Sequence, residues 1–148
     1  MIKRIQLLFC LLMVMCTTSW AQYGLNVDRI FSEANKLKGH TDEVVISGRS
    51  LKQYNLTFFH SVTVTESSET ADEIERLVKK DGDIAETAKE MVRGDRCVGL
   101  YYQLPPDEDD KDKKKRFILF RRPKIDCALV VYVEGHTTLD DLVKISFK

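Results

Sequence analysis

The chain is poor in the residues that specialised chemistry depends on. Tryptophan occurs once, at Trp20, proline three times, and glycine only seven times in 148 residues. That scarcity excludes collagen-like repeats and the Gly/Pro-rich low-complexity class. Of the four cysteines, Cys10 and Cys16 lie in an apolar N-terminal stretch, leaving Cys97 and Cys127 for the rest of the chain. A disulfide-built scaffold is therefore excluded. Cys-x-x-Cys and His-x-x-x-His spacings are absent, as is a Gly-x-Ser-x-Gly elbow, so no zinc ligand set or serine nucleophile is written in the sequence. Neither sign of charge dominates, with 23 basic and 23 acidic residues. Nucleic acid is a poor partner for such a chain, because affinity there comes mostly from neutralising phosphates.

What is present begins at the N-terminus. Lys3 and Arg4 precede an apolar run from Ile5 to Met15, and Ser19-Trp20-Ala21 places small residues where a signal peptidase requires them. The run is shorter than the roughly 20 apolar residues of a permanent membrane helix. Residues 1–21 read as an export signal, cleaved between Ala21 and Gln22, and residues 22–148 as a single domain of ordinary size. The mature product is expected in the periplasm or secreted, with no transmembrane segment and a slight acidic excess. An alternative makes Cys16 the lipid-bearing first residue of an envelope-anchored lipoprotein. Met15 stands where such signals want a small residue, so lipid anchoring at Cys16 is the disfavoured reading.

Periodicity supplies the elements. Val27, Ile30, Phe31, Ala34 and Leu37 share a helical face and predict a helix over 27–38. Residues 41–43 read as a turn and Val44-Val45-Ile46 as a short strand ending at Gly48. From Leu56 to Thr65, alternation with Thr57, Ser61, Thr63 and Thr65 on one parity predicts an antiparallel strand. Ser67 to Lys80 predicts a helix with acids early and lysines late, as the helix dipole favours. Ile84, Ala88, Met91 and Val92 predict a second helix reaching Gly94. Strands follow over 96–104, 117–122 and 125–134, the last apolar on both parities and so central, with Pro123 separating the last two. Thr138-Leu139-Asp140-Asp141 resembles a capping box and opens a helix over 139–145. The expected fold is α+β, an antiparallel sheet of about five strands with helices mainly on one face, in the order αββααβββα.

Each candidate site competes with a plainer explanation. Residues 105–116 form a charged hairpin tip in which Asp107, Glu108, Asp109, Asp110 and Asp112 lack the glycine and alternate oxygen ligands of a calcium loop. The basic run Lys113–Lys124, including Arg121 and Arg122, fits anionic glycans or lipid headgroups, or else a charge-blunted edge strand. His60, His136, Cys97 and Cys127 show no ligand spacing, and no metal or cofactor is expected. By strand alternation Cys97 faces away from Val98, Leu100 and Tyr102, while Cys127 shares parity with inward Leu129 and Val131. Two unpaired thiols follow, unless a bulge at Gly99 resets the register. Asn55-Leu56-Thr57 fits a glycosylation acceptor usable only on a eukaryotic secretory route. Alternation also requires Tyr101 or Tyr102 to face outward, which makes Tyr101, Tyr102 and Gln103 with Arg121 and Arg122 the best local hint of a contact surface.

Four stretches together resemble small, exported, uncharacterised proteins of Bacteroidota. They are Gly48–Leu56 with Phe59–Val64, Tyr101–Pro106, Arg116–Arg121 and Tyr132–Leu142, the last ending in Glu-Gly and a Leu-Asp-Asp-Leu helix. The resemblance implies a bacterial envelope protein and carries no catalytic residue. With it, the expected role is non-catalytic contact with another envelope protein. Anionic-ligand binding through residues 113–124 is the alternative, and an enzyme using His60 or a free thiol the least favoured reading.

Overall fold

The structure, a computed structural model, describes residues 24–146; the expected leader and the Ala21–Gln22 cleavage site lie outside them. The fold is α+β, a six-stranded antiparallel sheet with a few helices. The strands are β1 (His40–Ser47), β2 (Leu56–Thr65), β3 (Thr87–Arg93), β4 (Arg96–Leu104), β5 (Lys115–Lys124) and β6 (Cys127–Gly135). The helices are α1 (Asp28–Ser32), α2 (Ser68–Asp81) and α3 (Leu139–Ser146). Across the sheet the order is β1-β2-β6-β5-β4-β3. After β2, α2 carries the chain over one face to the far edge. The meander β3-β4-β5-β6 then brings it back beside β2, so β1 and β3 are the two edges.

Ser67 starts α2 by accepting a hydrogen bond from the Thr70 backbone N–H at 3.2 Å, while the Thr70 hydroxyl donates to the Lys38 carbonyl at 2.9 Å. Ala71, Ile74, Leu77 and Val78 recur at helical spacing and are buried, with Lys79 and Lys80 in the last turn. With Ile30 and Phe31 from α1 they pack on Val62, Val64, Leu100, Ile118, Val130 and Tyr132, the main core. A second, smaller core on the opposite face joins Leu139 and Leu142 of α3 to Tyr101, Phe117, Val131 and Val133, with Leu51 from a 3-10 turn. Two cores explain why β6 is apolar on both parities. It lies mid-sheet, between β2 and β5.

Several expectations are corrected. The helix predicted over 84–94 is instead a 3-10 turn at Gly82–Ile84 followed by edge strand β3. Ala88, Met91 and Val92 have helical spacing, but no stripe is buried. Pairing with β4 through the Arg93–Arg96 hairpin, whose Gly94 has φ 67°, decides the outcome. That gives six strands and the order αββαββββα. Residues 41–43 extend β1 rather than forming a turn, and the helix over 27–38 shortens to α1 and a 3-10 turn at Ala34–Lys36. Pro123 lies inside the span of β5, where the pairing with β6 is irregular.

Two bulges move side chains across the sheet. Between Leu56 and Phe58 the register of β2 against β6 shifts. Leu56 therefore joins the second core while Val62 and Val64 stay in the first. A second shift sets Met91 opposite Gly99 but Val92 opposite Cys97. The extra residue, Val98, returns Cys97 to the same face as Leu100 and Tyr102, against simple alternation. Cys97 and Cys127 are both free thiols.

Candidate functional site

The surface expected at β4 and β5 is not exposed as alternation required. Tyr101 and Tyr102 are both buried, Tyr101 in the second core and Tyr102 in the first, because β4 is an interior strand covered on both faces. Burial is the largest cause raising both phenol pKa values. Gln103 pairs with Thr87 and is half-buried. Arg122 is buried, and its guanidinium is spent on structure. Nε and Nη2 donate to the Ile125 carbonyl at 3.2 and 2.6 Å, and Nη1 stands 2.7 Å from Asp72 and 3.6 Å from Glu75. Arg121 lies one residue away and so on the opposite face, and Arg116 Nε donates to the Pro105 carbonyl at 2.8 Å. The basic run is thus divided between two faces of an interior strand, not gathered on an edge.

Around Arg122 a cleft of about 400 Å³ opens between α2, the β3–β4 hairpin and the β5–β6 turn, lined by Glu75, Lys79, Glu90, Arg96 and Cys97 among others. Its thiol is poorly suited to nucleophilic work. Burial first, then the Glu75 and Glu90 charges, push the Cys97 pKa up, and the thiol donates to the Gly99 carbonyl at 3.7 Å. His60 is buried beneath Phe31, ring centroids 4.4 Å apart, with Nε2 2.6 Å from Glu43 Oε1. A carboxylate so placed can orient an imidazole for base catalysis. Among the described residues, however, no hydroxyl or thiol is hydrogen-bonded to His60, so the pair ties β1 to β2. Burial raises the nearby Asp28 pKa, with the His60 charge opposing it.

At the tip, Asp110 accepts the backbone N–H groups of Asp112 and Lys114 at 3.0 and 3.2 Å, and Asp107 accepts that of Asp109 at 3.1 Å. The Asp112 bond is the leading cause that lowers the Asp110 pKa. These carboxylates close turns on their own backbone. Among the described residues no cluster of His, Cys, Asp and Glu is arranged to hold a metal ion, and no helix is long and apolar enough to cross a membrane.

The two sheet edges differ, and this difference is the most site-like feature of the fold. β3 carries Lys89, Glu90 and Arg93, pairs with β4 across the bulge at Val98, and is tied to α3 by the Lys89–Asp140 ion pair. Those are the usual means of discouraging strand addition. β1 pairs with β2 over eight residues without irregularity, and its last half, Val44-Val45-Ile46, has no charge. Val44 is 46% and Val45 53% exposed. Val44 and Ile46 also share a face with half-buried Phe59, Leu119 and Leu129, an apolar strip that α3 covers only at one end. The sequence signal was visible in Val44-Val45-Ile46, apolar on both parities. Nothing in it indicated that the strand lies at an edge.

The chain belongs to a family of unknown function, DUF6108, which matches residues 13–146. No curated protein matches the chain.

Proposed function

We propose that this family member is an exported, non-catalytic envelope domain that binds protein by accepting an extended segment along β1. The observation that carries the reading is the contrast between a charged β3, irregularly paired with β4, and a regularly paired β1 with an uncharged, half-exposed Val44-Val45-Ile46 segment. Strand addition satisfies outward backbone groups of an edge and lets alternate side chains select the partner. Here the added strand would also extend over the apolar strip of Phe59, Leu119 and Leu129. Export rests on Lys3, Arg4, the Ile5–Met15 run and Ser19-Trp20-Ala21.

Two measurements test the reading. Because Trp20 is the only tryptophan, a product cleaved after Ala21 fluoresces from tyrosine alone; indole emission in the protein recovered from the producing cell contradicts export by this route. For the edge, chemical crosslinking in the intact cell is compared between the wild-type chain, Val45→Lys and Val92→Lys. Both positions are more than half exposed, so neither lysine buries a charge and both variants are expected to fold. A crosslinked assembly lost only in Val45→Lys supports β1, while one lost only in Val92→Lys, or in neither, overturns it.

A further inference from the structure

We infer that the strand taken up by β1 is the β1 of a second copy of the same chain, in antiparallel two-fold pairing centred on Val45. The inference rests on the reading of β1 as the interaction edge and adds the identity of the partner. A two-fold axis requires the paired surface to be its own complement, and β1 meets that requirement in its order of residues. Asp42 and Glu43 precede Val44-Val45-Ile46, and Arg49 and Lys52 follow it. All four charged residues are exposed. Among the described residues Asp42 has only His40 and Glu43 only His60 as an ion-pair partner, and no ion pair engages Arg49 or Lys52. Antiparallel pairing brings the acidic end of each copy to the basic end of the other.

The register follows from the same sequence. Directly opposed residues share a face, so the two copies must match residues of equal parity. Centring on Glu43 sets two carboxylates directly opposite each other and is disfavoured. Centring on Val45 sets Val45 against Val45, Val44 against Ile46 and Glu43 against Ser47. The middle is then wholly apolar, and Gly48 falls opposite Asp42, so Arg49 of the second copy, which opens the 3-10 turn after Gly48, lies beside the acidic end. On the back face Val44, Ile46 and Phe59 of both copies form one continuous strip, covering surface that α3 leaves half-exposed. Gly48, with φ 93°, ends the strand and limits the pairing to a short segment. The assembly therefore falls at the small, weak end of specific interfaces.

The experiment uses the protein purified as the producing cell processes it. Sedimentation equilibrium up to about 0.5 mM, a range that captures weak association, is expected to show wild-type mass rising towards a dimer. Val45→Lys stays monomeric. Asp42→Lys and Arg49→Glu each weaken the dimer by at least several-fold, and the double variant recovers it, a rescue that only the antiparallel match of acid to base produces. In a background of Cys97→Ser and Cys127→Ser, oxidation links Val45→Cys to itself and leaves Val92→Cys unlinked. Monomer at every concentration, or loss of the dimer without charge-swap rescue, overturns the inference. If β1 then crosslinks to a different protein in the cell, the edge reading survives without self-pairing; if substitution of β1 changes neither assay, both fall.

Discussion

The Asp81 carboxylate, at the last residue of α2, accepts a 2.9 Å hydrogen bond from the backbone N–H of Val27, at the start of α1. Its other oxygen accepts from the backbone N–H and side-chain amide of Asn26 at 2.7 and 2.8 Å. α1 has no capping side chain of its own, so a carboxylate remote in sequence supplies the cap and the negative charge its N-terminus favours.

Replacing Asp81 with alanine leaves the buried Val27 N–H, and the part-buried Asn26 groups, without this acceptor and is expected to cost about 2–3 kcal/mol. Asp81→Asn keeps one acceptor oxygen and costs less. Chemical denaturation of the three proteins checks the order; equal stability of wild type and Asp81→Ala contradicts the cap.

Arg122 and Asp72 form an unequal pair. The Arg122 side chain is buried, whereas that of Asp72 is 71% exposed. Removing Arg122 takes both donors from the Ile125 carbonyl and leaves Glu75 with Lys79 alone, so Arg122→Met is expected to cost about 2–3 kcal/mol. Asp72→Ala removes a mostly solvated partner and costs under about 1 kcal/mol. Arg122→Lys recovers only part of the loss, since an ammonium cannot reproduce the planar fork on the Ile125 carbonyl. Thermal melts resolve these differences, and a larger loss for Asp72→Ala than for Arg122→Met contradicts the assignment.

Cys97 gives a pH dependence with a definite sign. A raised thiol pKa lowers the thiolate fraction at every pH below it, and thiolate is the reacting species. In Cys127→Ser, alkylation of Cys97 is expected to be slow at neutral pH and to have its midpoint above pH ~8.5, the midpoint of an ordinary thiol. A midpoint at or below that pH contradicts the burial and the Glu75 and Glu90 charges as controlling influences.

How much of this was legible in the sequence varied with how much surface each element buries. β2 over 56–65, β4 over 96–104 and the amphipathic α2 were read almost to the residue, because each lays a periodic apolar face on a core. β3 was misread as a helix because an edge strand exposed on both faces has no alternation to display. The contact surface at Tyr101 and Tyr102 failed for the opposite reason. Alternation assumes one covered face, and β4 is covered on two. The displaced faces of Leu56 and Cys97 required bulges, which arise from pairing and not from local sequence. The capping role of Asp81 has no local signal, since its partners lie more than fifty residues away.

The most direct test of β1 as the interaction edge is a scan with a photo-crosslinking amino acid at each position of residues 40–47 and 87–93 in the producing cell. Adducts to protein, whether to another copy or to a different chain, are expected at exposed β1 positions centred on Val44 and Val45 and not along β3. Adducts along β3 with β1 silent, or equal yields on both edges, contradict the account.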